Sequence, residues 1–532
     1  MPLIEADQFL EANTALKPEV KSGATMILLP SDHTTITESS EEIFRRMAAQ
    51  RTMFMRGSAF VEIADSKTDD GRLVPITPEG FASRIESAGP LFKKTKDGHN
   101  VILKQKACST EDAKRLMASR AALRLLPKIE LVTRAAIIAE DDDGRLVEFG
   151  RGYHESLSAM VNGPDAEKVP LNQAIDALRE LVAEYDFQTP GDRSRALASF
   201  ISPALKFGGL FPGMVPQDIA EADASQSGKT YRQKCVAAVY GERARVITKR
   251  EGGVGSLDES IGSALFGGTP FIRLDNMRGK LDSQALEAFL TDPKTVPIRL
   301  PHRGEVCCDC SRTTVQMTSN AVETTRDLVN RSSICRIRKK TGHTFRAFPE
   351  GNLEDHIRQR QGFYLGAVFA VIREWHSRGK PTKPDNRHDF REWAALMNYI
   401  VVEVLGEAPI LDGHQDAQAR ACSPQLNWVR SIGLAALEDH RGGEEFSASA
   451  LFDFGEEHGI ALPGYRGGGV DAGCKVIGVI MRPLFKESDK ATIDHVVITR
   501  TARLESNGNG LKEAKRYAFT LSPQAPQGGT SS

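Results

Sequence analysis

Hydrophobic and polar positions along the chain fall into a sequence of short periods. "LNQAIDALRELVAEYDF" (171–187) and "RSRALASFISPALKFG" (193–208) repeat apolar residues three and four apart, the spacing of one helix face. "STEDAKRLMASRAAL" (109–123) has the same spacing behind a Ser-Thr-Glu-Asp capping signal. From residue 231 the period changes back and forth. Helical stretches at 231–241, 260–266 and 283–291 alternate with strand-like runs at 244–248, 270–276, 314–320 and 332–339. Strands joined by crossover helices predict a parallel sheet. Two further helices are expected at 353–378 and 388–405. The last part of the chain reads as three helices (426–439, 447–458, 471–485), then strands at 492–504 and 515–521 around "ESNGNG". Helices followed by a strand pair is the order of a winged helix. Residues 1–40 are polar and read as a loose arm, followed by short strands and helices up to about 165.

The expected organisation is an α+β N-terminal domain (1–165), a helical collar (166–212), an α/β core (213–345), a helical lid or linker (346–424), a winged helix (425–521) and a polar tail (522–532). A chain of 532 residues is too long for one compact core. The formal net charge of −1 gives no global basic field, so any nucleic-acid contact must come from local basic faces. No apolar run reaches the roughly 18 residues of a membrane span. The acidic N-terminus lacks a signal-peptide core, and the eight cysteines form no regular framework; both predict a cytoplasmic protein.

The chemistry centres on "EADASQSGKTYRQK" (221–234). Gly228-Lys229-Thr230 is the ending of a phosphate-binding loop, in which backbone N–H groups, a lysine and a hydroxyl meet phosphate and Mg²⁺. Ser225, Gln226 and Ser227 would complete the cradle. Asp223 stands where the first glycine of the pattern belongs, and it lacks that residue's torsional freedom. About 45 residues on, the strand "FIRLDN" ends in Asp275, placed to help hold the metal with Thr230. A similar interval further, "VQMTSN" ends in Asn320, a residue type able to orient water or sense a γ-phosphate. Arg331 and Arg336 follow, candidates for a cationic finger reaching a neighbouring subunit's site. Four such features at the tips of successive strands predict an ATP and Mg²⁺ site on an α/β P-loop ATPase.

In this order the sequence resembles AAA+ and superfamily 3 helicase-type ATPases. It is most similar to the ATP-binding replication proteins of bacteriophages and mobile elements, relatives of poxvirus-type primase-helicases. The stretches that carry the resemblance are 126–155, 176–206, 252–291 and 317–339, with "GIALPGYRGGG" and "KVIGVIMRPLF" near the end. The resemblance implies phosphate binding for Lys229 and Thr230, metal for Asp275, sensing for Asn320 and a finger role for Arg331. Asn276 departs from the pattern, standing where many AAA+ proteins carry the Glu that activates water. An amide positions water without acting as a base. Glu259 is either a substitute or a solvated helix residue.

The leading expectation is an ATP-hydrolysing, DNA-translocating or unwinding enzyme acting as an oligomeric ring on single-stranded or forked DNA, with a homo-hexamer among the ring sizes open to it. The alternative is an ATP-gated DNA-binding regulator or defence switch with little turnover. Arg299, His302 and Arg303 in "IRLPHRGE" are candidate DNA contacts, or an ordinary basic hairpin. Lys475, Arg482, Lys486 and Arg500 form a local basic set, read as phosphate contacts or as the solvated face of a protein-binding module. "CCDC" (307–310) reads as structural thiols or half of a metal site, and "EDDD" (140–143) as an acidic turn or a catalytic carboxylate pair.

Overall fold

The structure, a computed structural model, describes residues 26–64, 72–222, 228–248, 256–275, 277, 280–281, 283–300, 304–319, 323–324, 326–338, 345–385, 387–421, 423–493, 496–507 and 510–522. At its centre is a six-stranded sheet. Its strands are β1 (Asp186–Phe187), β2 (Gln217–Glu221), β3 (Arg245–Ile247), β4 (Phe271–Leu274), β7 (Thr314–Ser319) and β8 (Ser332–Arg338). The spatial order is β1-β8-β2-β7-β4-β3. All neighbours pair in parallel except β1, which runs antiparallel along β8. A hairpin of β5 (Val296–Leu300) and β6 (Gly304–Cys308) stands between β4 and β7 in the chain. The sheet is packed by α1 (Pro190–Phe207), α2 (Lys229–Val239), α3 (Leu257–Phe266), α4 (Gln284–Thr291) and α5 (Gln361–Ser377). Among the described residues no helix is long and apolar enough to cross a membrane.

The central strand β2 is only weakly marked as a strand in the sequence, because Gln217, Asp218 and Glu221 are polar; all five of its residues are buried. Burying such groups requires partners. Arg232 of α2 binds the Asp218 carboxylate at 2.6 Å, and Gln217 donates to the Ser332 hydroxyl of β8 at 2.8 Å. Gln233 donates to the carbonyls of Asp218 and Met317 at 2.9 and 3.0 Å, which ties α2 to both β2 and β7.

The helix expected over 171–187 breaks. It runs Leu171–Glu180, and Asp186–Phe187 instead joins the sheet edge, where Asp186 pairs with Arg338 at 2.8 Å. α1 follows, opened by Thr189 and Asp192 in a capping box with Pro190 in the first turn. Asp192 is fully buried. Burial opposes its charge, but Arg195 at 2.6 Å and Arg336 at 3.7 Å outweigh it and hold the carboxyl below its ordinary range. The helix expected at 388–405 runs Arg391–Tyr399 and widens into a π turn over Ile400–Val404.

The arm expected over 1–40 is already folded from residue 26. Thr35 and Glu38 form a capping box for a helix at Ile36–Gln50. That helix belongs to a separate hydrophobic core running from Ile27 to Leu126. Residues 131–161 lie beyond it: Leu131, Ile137, Ile138, Ala159 and Val161 pack into the same core as α1 and α5. Fully buried Arg56 bridges the two parts, donating to the carbonyls of Glu130 at 2.7 Å and Leu265 at 2.8 Å. "EDDD" is the turn of a hairpin. Asp141 accepts the backbone N–H groups of Asp143 and Arg145, and Glu140 pairs with Lys380 and His376.

The C-terminal unit has its own core. Helices α6 (Pro424–Glu438), α7 (Ala448–Glu457) and α8 (Gly469–Met481) precede an antiparallel sheet of β9 (Lys490–Ile493), β10 (Val496–Asn507) and β11 (Gly510–Leu521).

Because Arg232 is wholly buried against Asp218, Arg232→Met is expected to strand a buried carboxylate and cost about 3–5 kcal/mol. Chemical denaturation of the two proteins side by side checks this; an unchanged midpoint would mean the pair is not holding α2 to β2.

Candidate nucleotide site

Parallel pairing brings the carboxyl ends of three neighbouring strands together. Glu221 of β2 lies opposite Ser319 of β7, and Met317 of β7 opposite Leu274 of β4. Ligands of open α/β sheets bind at such strand ends. Gly228-Lys229-Thr230 follows β2, Asp275 follows β4, and Thr318 is at the end of β7. The Asp275 carboxylate accepts the Thr318 hydroxyl at 2.7 Å, and the Thr230 hydroxyl lies at 3.5 Å from the same oxygen. Two hydroxyls and one carboxylate thus converge from three elements. That donor set is all oxygen, the kind a hard divalent cation takes.

α2 begins at this point without a side-chain cap: Gly228 occupies the N-cap with φ of 89°. The left-handed torsion and the crowding both require glycine. A Cβ there would meet Phe345 Cζ at 2.8 Å and Tyr185 Cε1 at 3.0 Å. The first-turn N–H groups of an uncapped helix favour an anion. Lys229 is buried at the start of the same turn, 9% exposed.

Sequence reasoning missed several groups here. Thr318 sits two residues before Asn320 in the sequence, and its hydroxyl was the available signal. Arg273, 6% exposed on β4, carries a buried Nε with no hydrogen-bond partner among the described residues. Burial pushes its guanidinium below the ordinary value, against the opposing pull of Asp275 and Glu354. Tyr185 and Phe345 pack beside Gly228 with ring planes tilted by 55° and centroids 5.3 Å apart, and Tyr231 adds a third ring. Tyr231 follows the loop directly, whereas only long-range folding brings Tyr185 and Phe345 to it.

Asp223, Ser225, Gln226, Ser227, Asn276, His302, Arg303 and Asn320 lie outside the described residues. Glu259 is exposed and closes the capping box of α3 with Ser256. Arg331 precedes β8, and Ser332 pairs with Gln217 at the start of β2, so Arg331 is at the sheet end opposite Asp275. It is partly exposed, pairs with Asp327 at 3.1 Å and contacts the Thr291 hydroxyl. Arg336 is different. It is buried beside Asp192 and donates to the Gly413 carbonyl at 3.4 Å, which keeps it inside its own subunit and out of a neighbour's site.

Arg299 is exposed on the β5–β6 hairpin, opposite Glu305, while Ile298 and Val306 anchor the hairpin's other face in the core. Cys307 is exposed, whereas Cys308 and Cys310 are buried; burial pushes the Cys310 thiol up to about 12. Among the described residues no three His, Cys, Asp or Glu side chains group as metal ligands. In the C-terminal unit Lys475, Arg482 and Lys486 are exposed. Arg500 is not available as expected: Asp489 holds it through two bonds of 2.6 and 2.9 Å, and it stacks over Phe485 at 5.0 Å.

No protein-family model matches the chain, and no curated protein matches it. Two solved structures are similar to it along most of their length. One is titled the active helicase Cch of SCCmec type IV: 10% identity, TM-score 0.28, covering 87% of this chain and 97% of that one. The other is titled the A form apo structure of the NrS-1 C-terminal region: 8% identity, TM-score 0.34, covering 90% of this chain and 100% of that one.

Two glycines at positive φ separate torsion from crowding. Gly304→Ala, with open space around it, carries only the left-handed strain of about 1–2 kcal/mol. Gly228→Ala must in addition displace Phe345 and Tyr185. A larger fall in denaturation midpoint is expected for Gly228→Ala, with a near-ultraviolet dichroism change that Gly304→Ala lacks.

Proposed function

We propose that the chain is an ATP hydrolase that moves along or unwinds DNA as an oligomeric ring. The observation that carries this reading is the convergence of Thr230, Asp275 and Thr318 beside the uncapped start of α2. Ser225, Gln226, Ser227, Gly228 and Lys229 cradle the phosphates of ATP. Thr230 and Asp275 hold Mg²⁺, which when bound neutralises charge developing on the transferred phosphoryl group. Thr318 orients Asp275 through its hydroxyl. Asn276 and Asn320 position the attacking water. Its position at the opposite end of the sheet suits Arg331 to a neighbour's phosphates, a contribution worth about 10³–10⁵ in rate where such fingers operate. Arg331 would first have to leave Asp327 and Thr291, so engagement of a neighbour competes with contacts inside the subunit. The β5–β6 hairpin carries Arg299, with His302 and Arg303 between its two strands in the sequence, and supplies the DNA contacts. In chain order it follows the strand that leads to Asp275 and precedes β7.

The second reading, an ATP-gated DNA-binding switch with little turnover, is favoured by one feature: an amide, Asn276, follows Asp275 where a general base would serve hydrolysis.

Hydrolysis measured with and without single-stranded DNA distinguishes the two. DNA-stimulated turnover falling at least about 100-fold in both Lys229→Ala and Asp275→Ala supports the motor. ATP binding without turnover supports the switch. For the finger, Arg331→Ala and Lys229→Ala are each expected to be inactive alone, and their mixture to regain hydrolysis at the interfaces that combine one intact half from each. A mixture as inactive as its components would remove the trans role.

A further inference from the structure

The corner between α3 and β4 gathers positive charge that the ATP site does not use. Thr269 and Pro270 precede β4, and Glu242 and Arg243 precede β3, whereas Asp275 follows β4. Thr269 and Asp275 are up to about 20 Å apart along this extended run, so the corner lies at the other end of the sheet. Gly267 and Gly268 form its backbone. Leu73 donates its N–H to the Gly267 carbonyl at 3.1 Å, and Val132 donates to the Gly268 carbonyl at 3.4 Å. Gly268 has a φ of 64°, and a Cβ on it would meet the Leu73 side chain at 2.8 Å. Glu242 accepts the Arg134 backbone N–H at 2.6 Å. These bonds join four chain segments, so that Arg72, Arg134 and Arg243, far apart in sequence, line one cleft with Thr269.

Arg243 is exposed, and Arg72 and Arg134 are half-buried. Thr269 is 8% exposed, and its hydroxyl has no hydrogen-bond partner among the described residues. The lining contains one carboxylate, Glu242. Burial pushes its carboxyl up to about 7, against the Arg134 backbone N–H, the Thr133 hydroxyl and the charges of Arg134 and Arg358. Near neutral pH it is therefore partly protonated and does not balance three guanidinium groups. Like charges gathered in a cleft draw an ion of opposite sign. The planar fork of arginine meets two oxygens of a phosphate at once, and a hydroxyl adds a further donor.

We propose that this cleft is a phosphate-binding site, separate from the ATP site, in which Arg72, Arg134, Arg243 and the Thr269 hydroxyl hold one phosphate group. That group comes from free phosphate or from a nucleic-acid backbone; the recognising chemistry is the same. Bound there, it ties Arg72 of the N-terminal unit to the corner through which the chain enters β4. The proposal is independent of the ATP reading.

The test is amide hydrogen exchange on the full chain, with inorganic phosphate against chloride at equal ionic strength, and separately with a single-stranded oligonucleotide. Phosphate is expected to slow exchange at 131–134, 242–245 and 267–269 by at least about three-fold. The protection is expected to persist in Lys229→Ala, which weakens the phosphate loop, and to be lost in Arg243→Ala and in Arg72→Ala. Arg243 is exposed, so its truncation leaves the folded core unchanged. Protection by the oligonucleotide alone, abolished in Arg243→Ala, would support the site and assign its phosphate to a nucleic-acid backbone. Exchange at these positions unaffected by either probe would overturn the proposal. So would protection that Arg243→Ala and Arg72→Ala both leave intact, or protection that Lys229→Ala removes.

Discussion

The ion pair between Arg232 and Asp218 is what allows the rest of the site to exist. β2 is the strand from which the phosphate loop departs, and its residues are polar enough to prefer water. Arg232, on the second turn of the helix that follows the loop, neutralises that strand from within the core. Strand and helix are thereby held on either side of the loop, whatever the loop residues do. Gln233 adds β7 to the same clamp. The hydroxyl of Thr318 then meets Asp275 because β7 is already fixed between β2 and β4. Removing a buried partner of this kind costs more than the pair itself contributes, so the site is built on an arrangement that does not tolerate partial loss.

Much of this was legible in the sequence, for identifiable reasons. Strands β4, β7 and β8 are short apolar runs ending in polar residues, and period alone locates them within a residue or two. The helices of the C-terminal unit and its hairpin were legible in the same way. The central strand was faint because its polarity is compensated by partners distant in the chain. The helix at 36–50 was hidden because its buried face is itself partly polar, with Ser39 and Ser40 beside Ile43, Phe44 and Met47. Residues 181–187 keep the composition of the preceding helix, yet the chain turns over 181–184 and the sheet edge recruits Asp186–Phe187 as strand β1.

In the candidate site, residues were legible where chemistry is concentrated at a strand tip, as for Asp275 and the Gly228-Lys229-Thr230 run. They were illegible where their role depends on a neighbour. Arg336 and Arg331 are five residues apart and of one type, yet one is buried beside Asp192 and the other lies at the mouth of the sheet's far end. Arg500 had the charge and position of a phosphate contact, but Asp489 and Phe485 claim it. A basic residue counts toward a partner only after its own subunit has been accounted for.

Arg56 has a mechanical consequence. It is the largest fully buried side chain in the N-terminal unit, and it binds the carbonyl at the end of α3 as well as that of Glu130. α3 is the helix that leads into the strand bearing Asp275. The N-terminal unit is therefore not a bead on a string. It is geared to the crossover nearest the metal strand, through a cation that has no water to fall back on. A shift of α3 must therefore either carry Arg56 and the strand Phe54–Arg56 along with it or break the bond to the Leu265 carbonyl.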